Sequence, residues 1–141
     1  MFKRAMEKAG ADCILRVVSD GQMAIDYLKG AGKFQDCEAF PPPHLVLLDL
    51  KLPLVPGLEV LKWLRNEAAL HIPVVILSSS QEPADVITAY KLGANAYLLK
   101  TCDPSQLLEM AQMIRGFWLT HNIPPPQLES SSSTAPHSRV L

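Results

Sequence analysis

Apolar positions in this chain gather into short runs, separated by stretches where they recur every three or four residues. Cys13 to Val18 (CILRVV), His44 to Leu48 (HLVLL), Pro73 to Leu77 (PVVIL) and Asn95 to Leu99 (NAYLL) are brief and bounded by turn formers, so each predicts a strand. The last three are continuous apolar runs, the pattern of strands in a parallel sheet covered by helices on both faces. Helical spacing predicts elements over Phe2 to Lys8, ended by Gly10, and over Met23 to Leu28, after the turn and cap Ser19-Asp20-Gly21. A further helix is predicted from about Leu58 to Asn66, with Leu58, Leu61 and Leu64 on one side. Pro83 and Gly93 mark the start and stop of the next one. Asp103-Pro104-Ser105-Gln106 opens the last, as a cap, a proline at the first helical position and the glutamine of a capping box. Leu107, Ala111, Ile114 and Trp118 then form one apolar stripe meant for the sheet. Strands alternating with helices give an α/β fold with a doubly wound parallel sheet.

From Ile123 onward the composition changes to proline and serine, which reads as a flexible tail, residues 123–141, after a single domain over residues 1–122. Across 141 residues, 48% are apolar and 19% charged, enough to build one core. Thirteen basic against fourteen acidic residues leave a net charge of −1, so no global field draws nucleic acid or anionic lipid. Cys13, Cys37 and Cys102 are widely spaced, fit no metal pattern and read as reduced thiols of a cytoplasmic protein. No apolar run reaches the length of a membrane span and the first residues lack the apolar core of a signal peptide. His44 and His71 occupy ordinary loop positions, and Trp63 and Trp118 read as packing residues on helices.

In an open α/β sheet, ligands bind beyond the carboxyl ends of the strands. Asp49, Ser78 and Lys100 each end an apolar run, so the sheet brings a carboxylate, a hydroxyl and an ammonium to one edge. The carboxylate can attack phosphorus, while the other two can hold the transferred oxygens.

Three stretches carrying these residues, HLVLLDLKLPLVPGLEVLKWLR, IPVVILSSS and KLGANAYLLK, resemble the response-regulator receiver domain of two-component signalling. VVSDGQMAIDYL is similar to the stand-alone receivers related to bacteriophytochrome partners. The resemblance implies a flavodoxin-like receiver topology and a phosphorelay role. It implies Asp49 as phosphoacceptor, Ser78 as switch hydroxyl, Tyr97 as aromatic switch residue and Lys100 as phosphate-binding lysine. Pro53 would be the loop proline and Gly57 the glycine opening the third helix. A histidine kinase of phytochrome type is the implied partner. A homodimer through the fourth helix, last strand and last helix is the implied assembly, with no role for nucleic acid or membrane.

Two departures from the family stand out. The chain starts inside what resembles the first helix, so the central first strand and the acidic pair after it are absent, through a misplaced start or a real loss. Asp49 and the backbone carbonyl of Lys51 then remain as ligands for the expected Mg²⁺, a weak or absent site. Thr101 also replaces the proline that usually follows the lysine, which loosens the aim of Lys100. An alternative reading is a phosphorylation-independent pseudo-receiver serving as an interaction module. A dehalogenase-type phosphatase is excluded because Lys51 stands where its second carboxylate belongs.

Overall fold

The computed structural model describes residues 2–10, 13–36, 38–40, 42–68, 70–123, 125 and 138–140. Cys37, His137 and most of the proline- and serine-rich stretch lie outside the described residues.

In chain order the elements are α1 (Phe2–Lys8), β1 (Cys13–Leu15), α2 (Gly21–Lys29), β2 (Val46–Asp49), α3 (Gly57–Lys62), β3 (Val74–Ser78), α4 (Pro83–Lys91), β4 (Ala96–Leu99), α5 (Pro104–Ile114) and β5 (Ser138–Val140). α3 and α5 run on through wider turns, over Trp63–Glu67 and Arg115–His121. There the N–H of Ala68 reaches the Trp63 carbonyl at 2.9 Å, and that of Asn122 the Phe117 carbonyl at 2.6 Å, five residues back in each case.

Strands β2, β3 and β4 hydrogen-bond in that order, all parallel, with Asp49 opposite Leu77 and Ser78 opposite Leu99. Alternate residues go to opposite faces. Val46, Leu48, Val74 and Ile76 join a core with Ala24 and Tyr27 of α2, Val60 and Leu61 of α3 and Leu64 of its extension. Leu45 and Val75 join another with Ala5 and Met6 of α1 and Met110, Ala111 and Ile114 of α5. Each such aliphatic side chain stabilises the fold by about 1.5–3 kcal/mol when fully buried. Helices therefore cover both faces, as the sequence pattern requires. Trp63 packs partly buried against the first core and Trp118 against the second.

Three sequence expectations change. The NAYLL run forms an edge strand rather than one covered on both faces. β4 has a single neighbour, its side chains are half-buried, and Leu99 is 41% exposed. The capping box at α5 is rearranged. Asp103 caps by accepting from the N–H of Ser105 at 2.9 Å, but its own N–H donates to the Thr101 hydroxyl oxygen at 3.1 Å. Gln106 instead accepts from that hydroxyl at 2.7 Å.

The third change concerns the stretch read as a tail. Residues 138–140 are strand β5, parallel to β1 in the register Cys13–Ser138, Ile14–Arg139, Leu15–Val140. Among the described residues the parallel neighbour of β1 comes from far along the chain. β1 is also shorter than the CILRVV run, because Arg16 to Val18 leave the ladder before the α2 cap. No helix among the described residues is long and apolar enough to cross a membrane.

Candidate functional site

Parallel pairing sets the site. β2 ends on Asp49 and β3 on Ser78, while the Lys100 N–H donates to the Ser78 carbonyl at 2.8 Å just beyond β4. The three residues singled out by sequence thus finish adjacent strands at one edge. The Lys100 ammonium forms an ion pair with Asp49 Oδ2, both side chains remaining partly open to solvent. Asp49 Oδ1 accepts from the Lys51 N–H at 3.0 Å. Both carboxylate oxygens therefore have a fixed donor, which orients the group at the rim. All peptide bonds among the described residues are trans, and the Lys100 side chain reaches Asp49 with Thr101, not proline, following it.

Ser78 is buried, at 1% exposure, with its Oγ accepting from the Ser80 N–H at 3.1 Å. It stands beside the Asp49–Lys100 pair and is held by the loop after β3. Tyr97, in the middle of β4, packs partly buried on the first core and donates its hydroxyl to the Ser80 carbonyl at 2.8 Å. Ser80 completes the link by donating its own hydroxyl to Asp85 Oδ2 at 2.6 Å, at the start of α4.

Pro53 lies in the loop after Asp49 and meets α2 rather than the carboxylate. Its carbonyl accepts from the Gly21 N–H at 3.1 Å. A Cβ on Gly21 would fall 1.9 Å from the Val55 carbonyl oxygen, and one on Gly57 would fall 2.1 Å from the Asp49 carbonyl oxygen. Both positions admit only glycine, because the loop is pressed between two helix starts. Gly57 was legible in the sequence. Ser80 was not singled out, and Gly21 was read only as part of a turn and cap, although Ser80 ahead of a Glu-Pro helix start is a local signal.

No cluster of three His, Cys, Asp or Glu side chains able to hold a metal ion forms among the described residues. Asp49 offers one carboxylate, already bound on both oxygens. Together with the Lys51 carbonyl this falls short of a divalent-metal centre on its own. What the arrangement offers is a solvent-accessible carboxylate nucleophile with an ammonium at its side.

Among known proteins, the response regulator receiver domain family matches residues 1–112. The response regulator Rcp1 of Synechocystis sp. is 36% identical over 120 residues, 84% of this chain and 80% of its own length. The crystal structure of its Mn²⁺-bound form superposes with a TM-score of 0.78 at 35% identity, covering 89% of this chain and 91% of that one. The phosphorylated cyanobacterial phytochrome response regulator RcpA gives 0.78 at 34% identity, covering 88% and 90%. The bacteriophytochrome response regulator RtBRR gives 0.65 at 44% identity, covering 87% and 74%. The α/β fold with a parallel sheet read from the sequence is the fold of these structures.

Proposed function

Since the chain belongs to the response regulator receiver domain family, a component of two-component phosphorelay signalling, we propose that Asp49 is its phosphoacceptor. The single observation that carries this is the Asp49–Lys100 pair at the carboxyl edge of three parallel strands. An Asp49 carboxylate oxygen attacks the phosphorus of a phosphohistidine on a partner kinase. The new O–P bond forms as the N–P bond breaks, and the imidazole nitrogen leaves with the electron pair and is protonated. Lys100 then meets the phosphoryl oxygens in place of the carboxylate, and the Ser78 hydroxyl turns to them, giving up its bond from the Ser80 N–H. Mg²⁺, when bound, offsets charge on the phosphoryl group. The Asp49 carboxylate and the Lys51 carbonyl would be the ligands that these residues offer it.

The partner is a histidine kinase of phytochrome type, supported by the phytochrome response regulators among the relatives. The chain acts in the cytoplasm as a signalling module rather than an enzyme, and its output passes through protein contacts. Ile87 and Tyr90 on α4, Leu99 on β4, and Met113 and Phe117 along α5 and its extension are exposed apolar residues, from 41% to 54%. This face supports a homodimer. Sedimentation of wild type against Ile87→Asp tests it, a lighter species being expected from the variant.

Incubating the chain with a small phosphodonor across a Mg²⁺ series tests the phosphoacceptor. The expected product is a hydroxylamine-labile acyl phosphate on Asp49, absent from Asp49→Asn. Failure to label at any Mg²⁺ concentration would identify a phosphorylation-independent interaction module instead.

A further inference from the structure

The loop that leaves Asp49 continues past Lys51 as an unbroken apolar run, Leu52-Pro53-Leu54-Val55-Pro56. Leu52 and Val55 pack partly buried on the first core. Pro53, Leu54 and Pro56 are exposed, and Leu54 is 78% open to solvent. The Leu54 side chain joins neither core. Exposed apolar residues side by side add nothing to a fold, and belong where another surface meets them.

Leu54 is also held in an unfavourable backbone conformation. Its φ is +65°, and among the described residues it is the one residue other than glycine in the left-handed region. The Val55 N–H donates to the Pro53 carbonyl at 2.7 Å, two residues back, so Leu54 is the centre of a γ-turn of the strained kind. Glycine or asparagine would hold that turn with less strain. Leucine therefore costs stability twice, through its backbone and through its exposed side chain, and no packing within the chain offsets either.

The tip is rigid all the same. The Pro53 carbonyl takes a second hydrogen bond from the Gly21 N–H at 3.1 Å, and the Gly57 N–H closes the loop on the Leu50 carbonyl at 3.1 Å. The Pro56 carbonyl accepts from the N–H groups of Glu59 and Val60 at 3.0 and 3.1 Å, and both prolines fix their own φ. A side chain presented this way loses little freedom when a partner covers it. Leu54 is three residues from Gly57, hence within about 11 Å of it. Gly57 itself lies against the Asp49 carbonyl. A histidine side chain is short, so a protein that brings a phosphohistidine to Asp49 also comes down on this rim.

We propose that Pro53, Leu54 and Pro56 form a docking surface for the phosphohistidine-bearing kinase, with Leu54 as the anchor against an apolar patch beside that histidine. The inference rests on Asp49 being the phosphoacceptor. No charge occurs from residue 52 to 56, so the tip selects an uncharged partner surface and disfavours kinases that place a charge there.

Two phosphodonors separate docking from chemistry: acetyl phosphate, which makes no docking contact, and an autophosphorylated histidine kinase of phytochrome type. Leu54→Asn tolerates the left-handed turn and replaces the apolar side chain with a polar one. Its urea midpoint is at or above that of wild type, and acetyl phosphate labels it at the wild-type rate. With the kinase, the concentration of chain giving half-maximal transfer rises about ten-fold or more while the maximal rate is kept. Leu54→Met, apolar and of similar volume, stays within about two-fold of wild type. Unchanged half-saturation in Leu54→Asn overturns the docking. Equal slowing with both donors also overturns it, because the turn would then serve the chemistry. A lighter species of Leu54→Asn in sedimentation would assign the tip to a contact between copies of this chain, against the proposal. If acetyl phosphate labels wild type and the kinase does not, the docking falls and the phosphoacceptor reading stands; if neither labels it, both fall.

Discussion

The Tyr97 hydroxyl donates to the Ser80 carbonyl at 2.8 Å, tying the middle of β4 to the loop after β3. The N–H of that same Ser80 holds Ser78 Oγ. A movement of Ser78 toward Asp49 therefore releases Ser80, and with it the anchor of the tyrosine ring. Tyr97→Phe keeps the ring on the core and deletes only the hydrogen bond. A net loss of about 0.5–1.5 kcal/mol follows, read as a lower urea midpoint with an unchanged m-value. Amides of Ser80 to Glu82 exchange faster in the variant. Unaltered exchange there would show that the hydroxyl does not restrain the loop.

Lys100 separates stability from chemistry. Its side chain is 48% exposed and that of Asp49 29%, so solvent screens their ion pair. Lys100→Met changes the unfolding free energy by less than about 1 kcal/mol. Phosphorylation of Asp49 by a small donor, in contrast, slows by one to two orders of magnitude, of the order seen when a charge-stabilising donor is lost. Equal phosphorylation rates would remove Lys100 from the site.

Much of this was legible in the sequence because two signals agreed. Apolar runs that stop on a polar residue gave β2, β3 and β4 their ends, and parallel pairing then placed Asp49, Ser78 and Lys100 side by side. Run composition alone could not show that NAYLL sits at an edge, because strand order is a tertiary property. Nor could it show that Thr101 takes the place of Gln106 as the partner of the Asp103 N–H, since a hydroxyl two residues before a cap is common in any loop. The pairing of Ser138–Val140 with β1 was hidden for a different reason. A three-residue strand carries almost no periodicity, and its partner lies more than a hundred residues away.

The α5 cap gives the chain an acid-sensitive point. Hydrogen bonds from the Ser105 hydroxyl and the Ser105 N–H hold the Asp103 carboxyl below its ordinary value. A carboxyl lowered in the folded state contributes stability that is present above its unfolded pKa and is lost as pH falls through the folded one. Helicity at the start of α5 is therefore expected to fray only below the ordinary aspartate range, roughly pH 4. Asp103→Asn, which keeps an acceptor oxygen but cannot titrate, flattens that part of the acid profile. Amide exchange at Gln106 and Leu107 between mildly acidic and strongly acidic buffer reads the difference, and identical profiles for the two proteins would rule out Asp103 as its source.

Arg65 makes the sharpest stability prediction. From the extension of α3 its guanidinium donates to the Gly93 carbonyl at 3.0 Å, the Leu70 carbonyl at 2.8 Å and Asn95 Oδ1 at 3.0 Å. Asn95 Oδ1 in turn accepts from the Val74 N–H at 2.8 Å, so one fork joins the ends of α3 and α4 to the starts of β3 and β4. Partial burial lowers the arginine pKa, yet the group remains charged at any working pH. Arg65→Met fills similar space but strips the donors from the partly buried Gly93 and Leu70 carbonyls and from the exposed Asn95 Oδ1, at a cost of about 1–3 kcal/mol. Arg65→Lys recovers little of it, because a single ammonium cannot reach three diverging acceptors in the geometry of a planar fork. Urea midpoints should therefore fall in the order wild type, lysine, methionine, with lysine nearer to methionine. A lysine variant as stable as wild type would mean that positive charge, and not the fork, holds this corner together.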